Sequence, residues 1–371
     1  MRIAWFTGRR DTHAHPIDDT RSLLAELGRR HLVELFDERR AHDFVWRHSR
    51  QPFDGCVYEL DDTTASAFVW PYLLHYPGIV RLRSSRLRRS RRRWLRQHRR
   101  TGDDAAEATF AGAEALRIPL TAARLAVVGD RYAAEALQEA YPSARVRYAP
   151  LAVPSADAPS LVTTLAPRPG MSIGVAATSS MALVARAVQR ARDAGTTRDT
   201  AIATVMDASA AAAHDAIVAL EWPPRPEAPA AALFAMAAGV PAIVYEVSVT
   251  AGWPALDPQT WRSRDPNNDT PIVISLDPRD DEHSLMLAIR RLADDSELRA
   301  RIGGAARAWS HACGDTVARA ADAWERILAE AATVEPPPRP TDWPAHLTGD
   351  GTGRARELLA QMGVSVDFLG D

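Results

Sequence analysis

The sequence predicts an α/β protein of two doubly wound, Rossmann-like lobes that face each other across a cleft. Three observations carry this expectation. The chain has 371 residues, and single hydrophobic cores stop growing near about 250–300 residues. Short runs rich in Val, Ile and Leu alternate with helical patterns, as in a parallel sheet covered on both faces. The alternation stops once, in the Pro-, Ser- and Ala-rich stretch Pro150–Gly170, and then begins again. A linker there gives an N-terminal lobe over 1–160 and a C-terminal lobe over 161–333. The tail, 334–371, is expected to pack back on the first lobe.

The elements follow in order. Arg2–Phe6 reads as a buried strand and Asp19–Arg30 as an amphipathic helix. His31–Phe36, Gly55–Leu60, Ile79–Leu82 and Leu125–Val128 read as further strands, with a helix over Arg131–Ala140 after the Gly129-Asp130 stop. Beyond the linker, strands are expected over Met171–Ala176, Thr200–Met206, Ile217–Leu220, Pro241–Tyr245 and Ile272–Leu276. Helices fall over Ser179–Ala194, Ala230–Ala238, Glu282–Ala293, Ser296–Ala308 and Asp315–Ala332. Gly239 and Pro241 terminate the helix at Ala238, because glycine accepts the left-handed cap and proline cannot continue a helix. Pro336-Pro337-Pro338 is a stiff spacer before a short helix near Ala355–Met362.

Composition narrows the class. An apolar share of 46% with 25% charged residues is that of a folded globular chain. No run approaches the roughly 18 apolar residues of a bilayer-spanning helix, and the opening segment lacks the apolar stretch of a signal peptide. Cys56 and Cys313 provide neither metal spacing nor a disulfide framework. A cytoplasmic location is therefore expected. All 45 basic residues are Arg, and residues 1–100 hold 21 Arg against 12 acids. Within Arg81–Arg100, 11 of 20 residues are Arg. That segment reads as a solvated helix, as an interfacial helix drawn to the anionic inner face of a membrane or another polyanion, or as a nucleic-acid surface. Only Trp94 is there to stack on a base, which weighs against nucleic acid. A protein partner facing one lobe is also compatible with the uneven charge.

Candidate site residues cluster at predicted strand ends. Gly8, Arg9 and Arg10 follow the first strand, where the two arginines suit either a phosphate or plain surface. Asp61 and Asp62 end a strand, where they suit a catalytic role or a helix cap. Asp11, His13 and His15 fit no zinc template. No Walker loop and no nucleophile elbow is present.

Glu227-Ala228-Pro229-Ala230 leads through Ala235 to Met236-Ala237-Ala238-Gly239-Val240-Pro241. This segment resembles the donor motif of the retaining glycosyltransferases of family 4, which have the GT-B fold. Tyr58, Leu60, Phe68, Pro71-Tyr72-Leu73 and Tyr76-Pro77-Gly78 have the look of one branch of that family, as do Gly252-Trp253-Pro254 and Trp343-Pro344-Ala345-His346-Leu347. The resemblance implies two lobes with C-terminal helices crossing back to the first, and transfer of a hexose from a UDP- or GDP-sugar without a metal or other cofactor. It implies that Glu227 holds the donor sugar, and that the amides of Glu227–Ala230, with Ser179 and Ser180, lie near the diphosphate. It also exposes departures. Ala235 replaces the second acid, Arg83-Ser84 replaces His-Asp, and Asp61-Asp62 with Ser66 replaces a Gly-Asn and His arrangement. Losses concentrated in one cleft predict an impaired transferase or, as the alternative, a non-catalytic binding or scaffolding subunit.

Overall fold

The structure is a computed structural model that describes residues 1–8, 19–98, 100–112, 114–153, 170–176, 178–195, 199–205, 208–222, 224–313, 316–347 and 358–364. Arg9, Arg10, Asp11, His13, His15 and most of the expected linker lie outside the described residues.

The first lobe runs β1 (Arg2–Phe6), α1 (Asp19–Leu27), β2 (Leu32–Phe36), α2 (Ala41–Arg50), β3 (Gly55–Leu60), α3 (Val69–His75), β4 (Ile79–Leu82), α4 (Arg88–Gln97), α5 (Asp104–Ala111), α6 (Arg117–Ala122), β5 (Leu125–Val128), α7 (Arg131–Ala140) and β6 (Val146–Tyr148). The second runs β7 (Met171–Val175), α8 (Met181–Asp193), β8 (Thr200–Thr204), α9 (Ala208–Ala211), β9 (Ala216–Ala219), α10 (Ala230–Ala238), β10 (Ala242–Tyr245), β11 (Ala255–Leu256), β12 (Val273–Leu276), α11 (Asp281–Asp294) and α12 (Ser296–Cys313). A last helix, α13, covers Val317–Thr333.

Each lobe holds a six-stranded sheet, ordered β2-β1-β3-β4-β5-β6 and β11-β12-β10-β9-β7-β8. Every strand pairing is parallel. The two-lobed α/β fold is the one that the strand–helix alternation predicts. Period-two alternation in β1 explains why both sheet faces need cover. Ala4 and Phe6 face one core, where Phe6 lies 4.9–5.2 Å from the rings of Phe36, Phe44, Tyr58 and Tyr72. Ile3 and Trp5 face the other, with Leu23 and Leu27 of α1.

That second core corrects one assignment. The sequence places Val317–Thr333 with residues 161–333, but α13 buries Ala320, Trp324, Ile327 and Leu328 against the first lobe. Trp324 is fully enclosed, its ring 4.9 Å from that of Trp5. The periodicity of α13 shows that one face is buried, and only tertiary packing decides against what. In the chain beyond it, Trp343 joins the first lobe's core against Phe110, and Arg117 holds Asp342 at 2.8 Å.

Helices α2, α3, α5, α6 and α9 and strands β6 and β11 have no counterpart in the sequence reading. Helices α3, α6 and α9 and strands β6 and β11 are short, and their apolar positions span too few turns or residues to establish a period. Helix α10 is apolar all round, and Ala231 through Ala237 are accordingly buried between β9, β10 and α12. Gly239 ends it at φ 75°, a left-handed cap open to glycine at little steric penalty.

Candidate functional site

Both sheets reverse strand order next to their first strand, between β1 and β3 and between β7 and β9. Crevices at such switch points, beyond the carboxyl ends of the strands, are where open α/β sheets bind ligands. In this protein the two crevices meet, and a buried ionic cluster occupies the junction.

The cluster begins inside the first sheet. Glu59 on β3 and Arg81 on β4 are register partners, and Arg81 Nη1 donates to Glu59 Oε1 at 3.0 Å. Arg81 Nη2 reaches Asp19 Oδ2 at 2.5 Å, and Arg83 Nη1 reaches Asp19 Oδ1 at 2.6 Å. Thr7 and Thr20 hydroxyls donate to Glu59 at 2.6 and 2.8 Å. The backbone amide of Ala152, where the chain leaves the first lobe, donates to Asp19 at 3.4 Å. Arg83 then crosses between the lobes, its Nε 3.1 Å from Glu227 Oε2. Arg225 stands 4.0 Å from the other Glu227 oxygen.

The backbone closes the same junction. Gly129, just after β5, forms a parallel bridge with Glu227, and its N–H donates to the Pro226 carbonyl at 3.1 Å. A Cβ at position 129 would sit 2.7 Å from the Glu227 Cβ, so this approach requires glycine.

Three carboxylates and two guanidinium groups removed from water polarise one another strongly. Burial alone would raise the Asp19 carboxyl, but Arg81 and Arg83 together hold it well below the usual carboxylate range. Burial lifts the Glu227 carboxyl, opposed by Arg83 and reinforced by Asp19. Burial would lower the Arg83 guanidinium, yet Asp19, Glu227 and Glu59 hold it well above its ordinary value. Arg83 serves Asp19 at the shorter distance, so Glu227 is the less compensated acid.

The sequence-derived candidates divide clearly. Glu227 lies at the lobe junction, only 4% exposed and turned onto Arg83. Ala228 and Pro229 are buried beside it, and Pro229 caps α10 with no side-chain hydrogen bond before Ala230 opens the helix. Ala235 has no exposed surface and belongs to the second lobe's core. Ser180 is buried with its hydroxyl donated to the Leu220 carbonyl at 2.9 Å, whereas Ser179 is exposed. Gly8 packs against the backbone of Ala65.

Asp61 and Asp62 serve local structure. Asp61 accepts from the Thr63 amide at 2.9 Å, and Ser66 donates its hydroxyl to the Asp61 carbonyl at 2.8 Å. Asp62 accepts from the amides of Arg89 and Ser90 at 2.6 and 3.2 Å, capping α4 from 27 residues away. Ser84 accepts from the Arg86 amide at 3.2 Å. Asp19, Glu59 and Arg81 belong to the site although no motif along the chain marks them. Their signal was present in Glu59 and Arg81, opposite charges inside two otherwise apolar strands.

The arginine run is likewise sorted by packing. Arg81 and Arg83 belong to the cluster. Arg91 is buried, paired with Glu107 at 2.7 Å, and lies 4.3 Å from the Trp94 ring centroid. Arg86 pairs with Glu114 and Arg92 with Asp104, while Arg89, Arg93 and Arg96 are exposed. Among the described residues no group of three His, Cys, Asp or Glu side chains could hold a metal ion.

No family model matches the sequence, and no curated protein matches it. Solved structures do match. Anabaena HepE, in complex with UDP and glucose, has a TM-score of 0.55 at 11% identity, covering 89% of this chain and 99% of that one. WaaG, a glycosyltransferase involved in lipopolysaccharide biosynthesis, has a TM-score of 0.54 at 12% identity, covering 88% and 99%. The catalytic domain of starch synthase IV from Arabidopsis thaliana has a TM-score of 0.55 at 10% identity, covering 90% and 99%. Two parallel sheets facing one junction, and neighbours that match over nearly their whole length, give this chain the GT-B glycosyltransferase fold.

Proposed function

We propose that this chain is a relative of the retaining family 4 glycosyltransferases that works as a non-catalytic binding or scaffolding subunit. The observation that carries the reading is the Arg83–Glu227 ion pair. In that family the first acid of the donor motif accepts hydrogen bonds from the donor sugar. Here its counterpart is ion-paired with a guanidinium of the opposite lobe, 3.1 Å away and out of solvent. Ala235 supplies no carboxylate, and Asp61 and Asp62 each accept local backbone hydrogen bonds, which weighs against a role toward donor or acceptor.

One observation favours residual ligand binding. Helix α10 starts at Pro229 without a side-chain cap, which leaves its first amides and its dipole for an anion such as the diphosphate of a UDP- or GDP-sugar. HepE, solved with UDP-glucose, supports that ligand class. The exposed arginines of α4 support a position at the inner face of a membrane, with the rest of the protein in the cytoplasm. No helix among the described residues is long and apolar enough to cross a bilayer.

Calorimetric titration with UDP-glucose and GDP-mannose, beside a donor-hydrolysis assay, tests the proposal. Weak binding without turnover is expected, and Glu227→Gln should leave sugar-nucleotide affinity within about twofold. A loss of about tenfold or more, roughly 1.4 kcal/mol, would place Glu227 on the sugar. Sustained donor turnover would establish a transferase.

A further inference from the structure

Beside the ionic cluster lies a cavity of about 240 Å³ with walls from both lobes. Leu82, Leu116 and Leu137 line it from the first lobe, and Pro224, Pro226 and Val249 from the second. We infer that this cavity is a binding site for a small, neutral, largely apolar molecule carrying a hydroxyl group, of aromatic or compact aliphatic type. The inference stands on the cavity itself and does not depend on whether Glu227 is free.

Three features define the ligand. Walls of aliphatic side chains and proline rings favour apolar surface and offer a sugar few partners for its hydroxyls. The one charged residue in the lining is Arg225, and it is already compensated. Its Nε lies 3.2 Å from Glu221, and its Nη1 is 4.0 Å from Glu227. An anion would therefore meet a guanidinium already paired with Glu221, and the apolar walls disfavour a cation as well, which selects an uncharged ligand. Ser84 lines the same cavity, and because its oxygen accepts from the Arg86 amide, its O–H remains a donor for a ligand hydroxyl.

The walls are held in place from both sides. Leu82, Leu116 and Val249 are buried, and the Gly129–Pro226 hydrogen bond ties one wall to the other lobe. A ligand seated here touches both lobes and so stabilises their closed arrangement.

The probe is 2-naphthol, uncharged at pH 7, followed by its fluorescence on titration with the full chain. Saturable binding is expected, with 2-naphthoate at least about tenfold weaker. Ala136→Trp and Ser248→Trp place a bulky ring at the cavity from either lobe. Both positions are exposed, so folding should survive, with circular dichroism as the check. Each variant should weaken 2-naphthol at least about tenfold, an effect of removed apolar contact. Glu221→Gln, which uncovers Arg225, should bring 2-naphthoate up towards 2-naphthol. No saturable signal with the parent, or undiminished binding in both folded Trp variants, would overturn the site. Parent protein that prefers 2-naphthoate would overturn its neutral character. Nucleotide-sugar titrations are unaffected by any of these outcomes, so the two readings fail separately.

Discussion

Arg83 and Glu227 come from different lobes, yet their side chains meet at 3.1 Å with almost no exposure to solvent. The pair spans the junction where a GT-B protein would admit its ligand, and the Gly129–Glu227 bridge fixes the backbone beneath it. Lobe closure in this protein is thus built from side-chain charge and main-chain pairing at the same residue.

Breaking that pair should be expensive. Arg83→Met strips Asp19 of one partner and leaves Glu227 buried with only the distant Arg225. A destabilisation of about 3–5 kcal/mol is expected in urea unfolding. In a double-mutant cycle with Glu227→Leu, a coupling of about 1–3 kcal/mol is expected. Additive single effects would show that the pair contributes nothing as a pair.

The cluster also sets the acid limb of stability. Asp19 has a folded-state value depressed below that of the unfolded chain, near about 3.9. In the interval between, the unfolded chain binds more protons, so stability rises with pH there and is fully present above about pH 5. Glu227 is raised and acts in the opposite direction, losing its contribution as pH climbs through its folded-state value. The parent's urea midpoint should fall below about pH 4, and Asp19→Asn should flatten that limb. An unchanged slope in the variant would remove Asp19 from the account.

Ala235→Glu tests whether the missing second acid can be restored. Position 235 has no exposed surface and is surrounded by the apolar core of the second lobe. The substitution should destabilise by more than about 3 kcal/mol through overpacking and a buried, unpaired charge. It should not tighten binding of UDP-glucose. A folded variant with improved affinity would mean that α10 turns this face to the ligand.

The arginine run holds two kinds of residue, and they should separate by experiment. Arg91→Gln should lower thermal stability, since it leaves Glu107 with His346 alone and removes the stack on Trp94. Replacing Arg89, Arg93 and Arg96 with Gln should leave stability unchanged. If this face meets an anionic bilayer, the triple variant loses sedimentation with phosphatidylglycerol vesicles at low salt, where charge is least screened. Equal sedimentation of parent and variant returns α4 to a solvated helix.

Gly129→Ala places a methyl group where the two lobes touch. The lobes should separate slightly, visible as an increase in radius of gyration by X-ray scattering, with weaker protection of the Gly129 neighbourhood in hydrogen exchange. Identical scattering and exchange would show that the junction yields without opening.

The two-lobe architecture was legible because strand and helix periods are local. Apolar runs such as Leu125–Val128 and the Gly239-Val240-Pro241 stop state their roles without reference to any distant residue. The position of Glu227 before α10 was legible in the same way, as a motif along the chain. What that carboxylate touches was not. Arg83 lies 144 residues upstream by number, and its guanidinium meets Glu227 only because it follows β4 at the carboxyl end of one sheet while the segment between β9 and α10 brings Glu227 to the same junction from the other. Asp62 capping α4, and α13 burying Trp324 beside Trp5, depend on the same long-range convergence. Sequence alone determined the elements and the faces they must bury, since those follow from the spacing of residues along one chain. Tertiary structure alone decided which charges neutralise one another, because that depends on distances between residues that no local pattern encodes.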